Sequence, residues 1–102
     1  MGKLVRDKIP AIIRASGGDP VTRVLGAREY EQALRDKLVE ETTELREADT
    51  ADDRIAEAAD VLEVLTALVA LDGHDLADIV EAARHKAAHR GGFVDRTWLE
   101  QA

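Results

Sequence analysis

Four acids stand where apolar side chains are expected. Glu41 lies between Leu38 and Leu45 on the apolar stripe of a helical stretch, and Glu44 follows three residues later, about 60° around the same side. Further on, Glu57 leads into the stripe Val61, Val64, Leu68, and Asp60 leads into Val64, Ala67 and Leu71. Two helical segments thus each present an acid pair at i, i+3 on or beside a buried face. An unpaired carboxylate is costly to bury, so such groups take up protons or find a cation. Four together also repel one another. A hard divalent cation with oxygen ligands answers both problems. Acids at this spacing are also common on solvated helix faces, and Glu40, Glu47, Asp52, Asp53 and Glu63 read that way. Placement on the apolar stripe sets the four apart.

The elements that must position these acids are helices. From Ala27 to about Ala48, Leu34, Leu38, Glu41 and Leu45 recur at helical spacing. Asp49-Thr50 breaks this helix, and Thr50-Ala51-Asp52-Asp53 opens the next as a capping box with Asp in place of Glu. That helix runs to about Leu71. Ile55, Ala58, Leu62, Leu65 and Val69 form one stripe and Val61, Val64, Leu68 and Leu71 a second, so it is apolar over a wide arc and central. The short connection makes the two helices antiparallel neighbours, with Glu44 and Glu57 both near the turn. Gly73 closes the second helix, and a last one spans about Asp75 to Arg90, burying Leu76, Ile79, Val80, Ala83 and Ala87 until Gly91-Gly92 stops it.

The N-terminal part differs. Lys3 to Pro10 is a charged arm interleaved with apolar residues, and Pro10 suits the first turn of a short helix carrying Ala11, Ile12, Ile13 and Ala15. Ser16 to Pro20 breaks the chain, and Val21 to Leu25 is extended or a brief strand ended by Gly26. Phe93 to Ala102 forms a tail with two aromatics, able to pack back or cross to a neighbour.

Length and composition narrow the function classes. With 102 residues the chain holds one domain, residues 1–102. Aromatics are 3 % while hydrophobic residues are 45 %, so the core rests on Leu, Val, Ile and Ala in helix-favouring stretches. The net charge of −7 argues against a binder of nucleic-acid polymers, which needs clustered cations. It leaves room for a nucleotide, because a divalent metal inverts the local sign of an acidic pocket. No cysteine is present, so thiolate zinc sites and cysteine nucleophiles are excluded. No apolar run reaches the roughly 20 residues a bilayer requires, and no signal peptide is evident, so the expected compartment is the cytoplasm. His85 and His89 are spaced to chelate zinc, but neither HExxH nor a Glu-x-x-His element accompanies them. So small a chain with so apolar a central helix is not expected to stay monomeric.

Glu40-Glu41-Thr42-Thr43-Glu44, then 12 intervening residues, then Glu57-Ala58-Ala59-Asp60 resembles the EExxE…ExxD signature of the MazG-like all-α nucleoside triphosphate pyrophosphohydrolases, at the short end of that family's spacing. Lys3-Leu4-Val5-Arg6-Asp7-Lys8-Ile9-Pro10 is similar to the N-terminal segment of its phosphoribosyl-ATP pyrophosphohydrolase-like branch, and Lys86 to Phe93 to that branch's K…RGGF element. The resemblance implies an all-α antiparallel helical bundle. It would have three long helices, a short N-terminal helix and an extended arm, assembling as a homodimer or homotetramer around a four-helix-type core. It implies Mg²⁺, with Mn²⁺ as a substitute. It implies cleavage of a nucleotide between the α- and β-phosphates, giving a nucleoside monophosphate and pyrophosphate. By motif position Glu41, Glu44, Glu57 and Asp60 are the metal ligands. Glu40 is the family's extra acid, there to assist water activation beside Glu41 or to sit behind the ligands.

Lys86 and Arg90, four apart at the end of the last helix, could reach phosphate oxygens, as could Lys3, Arg6 and Lys8. The plainer reading is that Lys86 and Arg90 favour the negative end of their helix. Two other functions stay open: the phosphoribosyl-ATP step of histidine biosynthesis, and a non-catalytic helical oligomerisation or regulatory module.

Overall fold

A computed structural model describes residues 2–102. The described chain is all-helical: α1 (Ile9–Ala15), α2 (Ala27–Glu47), α3 (Ala51–Ala70) and α4 (Leu76–Arg90). No strand occurs among the described residues. Val21 to Leu25 carries no regular secondary structure, and no strand among the described residues offers it a ladder. Arg23 instead grips Glu29 of α2 with two hydrogen bonds, of 2.7 and 3.1 Å, tying this segment to the first turn of the helix.

The boundaries follow from local chemistry. Pro10 sits in the first turn of α1, where a missing N–H costs nothing. The Thr50 hydroxyl accepts from the Asp53 N–H at 3.1 Å and starts α3. At α4 the box is reciprocal: Asp75 accepts from the Asp78 N–H at 3.1 Å, and Asp78 accepts from the Asp75 N–H at 3.0 Å. That backbone bond and His74 at 3.0 Å hold the Asp78 carboxyl below the usual carboxylate range. After α4 the chain passes into the left-handed region at Gly91, φ 78°, which a residue with a Cβ adopts only under strain.

Only α2 and α3 pack extensively on each other among the described residues. Three residues, Ala48, Asp49 and Thr50, join them, so they form an antiparallel hairpin. Its centre is Leu34 and Val64, 3 % and 6 % exposed. These two are the buried hydrophobic residues of the described chain. The three long helices and the short N-terminal one are present as expected, but no pair of them other than α2 and α3 packs extensively among the described residues. α4 stands off the hairpin; Ile79 alone on it is half-buried. The tail does not pack back, leaving Phe93 and Trp98 exposed. The outline is correspondingly long, 54 × 34 × 25 Å, with a radius of gyration of 17.5 Å. A compact domain of this length has about 13 Å. No helix is long and apolar enough to cross a membrane.

Candidate metal centre

The hairpin brings three of the four anomalous acids together. Glu41 and Glu44 come from the second half of α2, and Glu57 from the second turn of α3. One carboxylate oxygen from each lies within 4.8 Å of the other two. Opposite oxygens around a Mg²⁺ ion stand about 4.2 Å apart, a span comparable with that upper limit. Thr42 and Thr43, between the two α2 acids, turn their hydroxyls back onto the carbonyls of Leu38 and Val39, at 2.7 Å each.

Glu41 is the buried member, 7 % exposed. Burial pushes its carboxyl above the usual range; the adjacent Glu44 adds to this, and Lys37 opposes it. The Lys37 ammonium stands 3.4 Å from Glu41 Oε1 and 3.5 Å from Glu40 Oε2. Glu41 Oε2 and Glu57 Oε2 are buried without a hydrogen-bond partner. Buried acceptors left this way cost on the order of 1–3 kcal/mol each. Two orphaned carboxylate oxygens beside a third acid are what an oxygen-seeking cation would satisfy. The donor set is hard, all oxygen, and suits Mg²⁺ or Mn²⁺ better than a soft metal.

The remaining residues fall differently. Asp60 is not part of the three-acid group; its Oδ1 accepts a 2.7 Å hydrogen bond from Arg6. Arg6, expected on phosphate, thus bonds an expected ligand. Glu40 is half-exposed and pairs with Lys37. Lys3 and Lys8 are exposed on the arm, and Lys86 and Arg90 are exposed on α4, which the protomer does not pack against the acids. Lys86 borders an open depression with Asp78, Glu81, Ala82 and His85, a helix side without a neighbour rather than a built pocket. The His85 and His89 rings lie 4.5 Å apart, and His89 Nδ1 is 3.0 Å from the His85 carbonyl oxygen. No third ligating side chain joins them among the described residues. Lys37 escaped the reading of the sequence, although its i, i+4 spacing to Glu41 announces the pair.

No family model matches the chain. No solved structure matches it. It is 60 % identical over 52 residues to an uncharacterized protein of Mycolicibacterium smegmatis (strain ATCC 700084 / mc(2)155). The matched stretch is 51 % of this chain and 53 % of that relative, so the chain spans about half the length of the curated relative it matches.

Proposed function

We propose that this chain is a MazG-like, metal-dependent nucleotide pyrophosphohydrolase. It would cleave a nucleoside triphosphate or related nucleotide at the α–β phosphate bond to give a nucleoside monophosphate and pyrophosphate. The observation that carries the reading is the cluster of Glu41, Glu44 and Glu57, with two of its buried carboxylate oxygens unpartnered. The motif order along the sequence adds to it.

In this reading Glu41, Glu44 and Glu57 hold Mg²⁺ or Mn²⁺, and Asp60 is the fourth acid. When bound, such an ion neutralises phosphate charge and lowers the pKa of a coordinated water toward the physiological range. The chain's own residues then have positioning work to do. The hairpin fixes the three glutamates relative to one another. Lys37 holds Glu41 and Glu40 side by side, which leaves Glu40 at the edge of the cluster as the acid available to accept a proton from water. Lys3, Lys8, Lys86 and Arg90 are exposed cations free to meet phosphate oxygens.

The apolar residues left open on α4 and the tail support assembly as a homodimer or homotetramer, which would cover them. Assembly is also the way the α4 cations would reach the acids, by crossing to another protomer.

The test is pyrophosphate release from a panel of ordinary and modified nucleoside triphosphates with Mg²⁺ or Mn²⁺, wild type beside Glu41→Gln. Release by the wild type and not by the folded variant bears out the reaction and its centre. No release from any nucleotide by a well-folded, metal-loaded wild type overturns it.

A further inference from the structure

The ion pairs of the described chain divide sharply by range. Five of the six join residues no more than six positions apart: Arg23–Glu29, Arg35–Glu31, Lys37–Glu40, Lys37–Glu41 and His74–Asp78, the last ionic only when the imidazole is protonated. The sixth, Arg6–Asp60, spans 54 positions. It ties the N-terminal arm to α3 one helical turn beyond Glu57.

Arg6 is held there by more than its charge. Its carbonyl accepts from the Ile9 N–H at 3.0 Å in the turn that leads into α1. Leu4 and Val5 before it, and Ile9 and Pro10 after it, are half-buried. The guanidinium stays accessible, with the Arg6 side chain 55 % exposed and that of Asp60 41 % exposed. The pair is therefore open to exchange with solvent ions.

We propose that Arg6 is an internal rival of the metal for Asp60, and that nucleotide phosphates release Asp60 by drawing Arg6 to themselves. This rests on the reading of the acid cluster as a metal centre and adds to it the order in which the centre is completed. Without phosphate, Asp60 is neutralised by Arg6 and three glutamates face the cation. With phosphate present, the guanidinium has a more highly charged partner that takes it bidentately. Asp60 is then free to turn its carboxylate toward the cluster. Metal and nucleotide phosphates therefore bind with positive coupling, and linkage makes the effect reciprocal. Arg6 thus acts on the metal through Asp60 while its own guanidinium meets the phosphates.

The experiment is a Mn²⁺ titration of the full chain without nucleotide, read by the EPR signal of free Mn²⁺. Wild type, Arg6→Gln, Arg6→Lys, Asp60→Asn, the Arg6→Gln/Asp60→Asn double variant and Glu41→Gln are compared, each checked for helix content. Arg6→Gln is expected to bind Mn²⁺ roughly two- to five-fold tighter than wild type, the range that the worth of an exposed ion pair converts to. Arg6→Lys should return toward wild type. In the Asp60→Asn background, Arg6→Gln should change nothing, whereas simple repulsion between Arg6 and the ion would persist there. The ¹⁵N signal of the Arg6 side chain should also move when pyrophosphate is added without metal. Equal or weaker Mn²⁺ binding by Arg6→Gln overturns the proposal and makes the pair a clamp for the arm; an unmoved Arg6 signal overturns the phosphate half. Absence of Mn²⁺ binding by wild type and Glu41→Gln alike overturns the metal centre itself, a result separable from the other two.

Discussion

The Lys37 ammonium lies 3.4 Å from Glu41 Oε1, while Oε2 of the same carboxylate is buried with no partner. One lysine, shared with Glu40, cannot neutralise a glutamate that also faces Glu44. The acid cluster is accordingly destabilised in place, and the proton balance says how that appears in solution. Because the native Glu41 carboxyl is raised, the native state holds more protons than the unfolded chain between the ordinary carboxylate value and the native one. Its contribution to stability is greatest below that interval and falls as pH rises through it.

Glu41→Gln should therefore melt higher than wild type in EDTA at neutral pH, by on the order of 1 kcal/mol. The gap should close as pH falls through the ordinary carboxylate range. Thermal melts across a pH series check this. Glu29 and Asp78, held low mainly by Arg23 and by the Asp75 N–H respectively, act in the opposite sense in both proteins and leave the difference unaffected. A gap that does not vary with pH would remove Glu41 as its source.

Adding metal should reverse the order. Mg²⁺ or Mn²⁺ at a hundred-fold excess over its Kd stabilises the binding-competent protein by about 2.7 kcal/mol. For a chain of this size that is a rise in Tm of roughly 10 °C or more. Wild type should show it and Glu41→Gln and Glu57→Gln should lose most of it. Equal shifts in all three would locate the ion elsewhere.

The hairpin has little core to spare. Leu34→Ala removes one of its two buried hydrophobic side chains, and should cost about 2–4 kcal/mol. Thr50→Ala removes the acceptor for the Asp53 N–H, and should cost about 1 kcal/mol. Urea denaturation of both variants, in EDTA so that metal does not mask the loss, measures these directly.

Val80 is 39 % exposed on α4, on which no other helix packs extensively among the described residues. Val80→Glu should leave protomer helicity intact and weaken self-association by roughly ten-fold or more, as the loss of one well-buried interface anchor does. Light scattering over a dilution series separates the two effects. Wild type that is monomeric at micromolar concentration would contradict the assembly altogether.

Much of the local structure was legible in the sequence. The starts of α3 and α4 follow from Thr50 and Asp75, and the end of α4 from Gly91, because caps and left-handed stops act within a few residues. Glu41 on the apolar stripe announced its own burial. What the stripes do not encode is what covers them. The stripe Leu76, Ile79, Val80, Ala83 and Ala87 predicts a buried face, yet Ile79 alone of these is half-buried, and no other helix packs extensively on α4 among the described residues. The tail aromatics were equally uninformative about their surroundings. Asp60 and Arg6 were each singled out for other partners; their pairing joins positions 54 apart, and no spacing rule reaches that far.

Ala48, Asp49 and Thr50 are all that separate α2 from α3, and the converging glutamates lie between positions 41 and 57 of the chain. Such a site has a low contact order. Closing a turn this short takes microseconds or less, whereas the meeting of two chains is bimolecular and slows with dilution. Gathering the three carboxylates therefore needs only this local closure and no second protomer. In the proposed reading a divalent cation, by relieving the repulsion among the acids, would act as a folding template for the hairpin itself, ahead of any other packing.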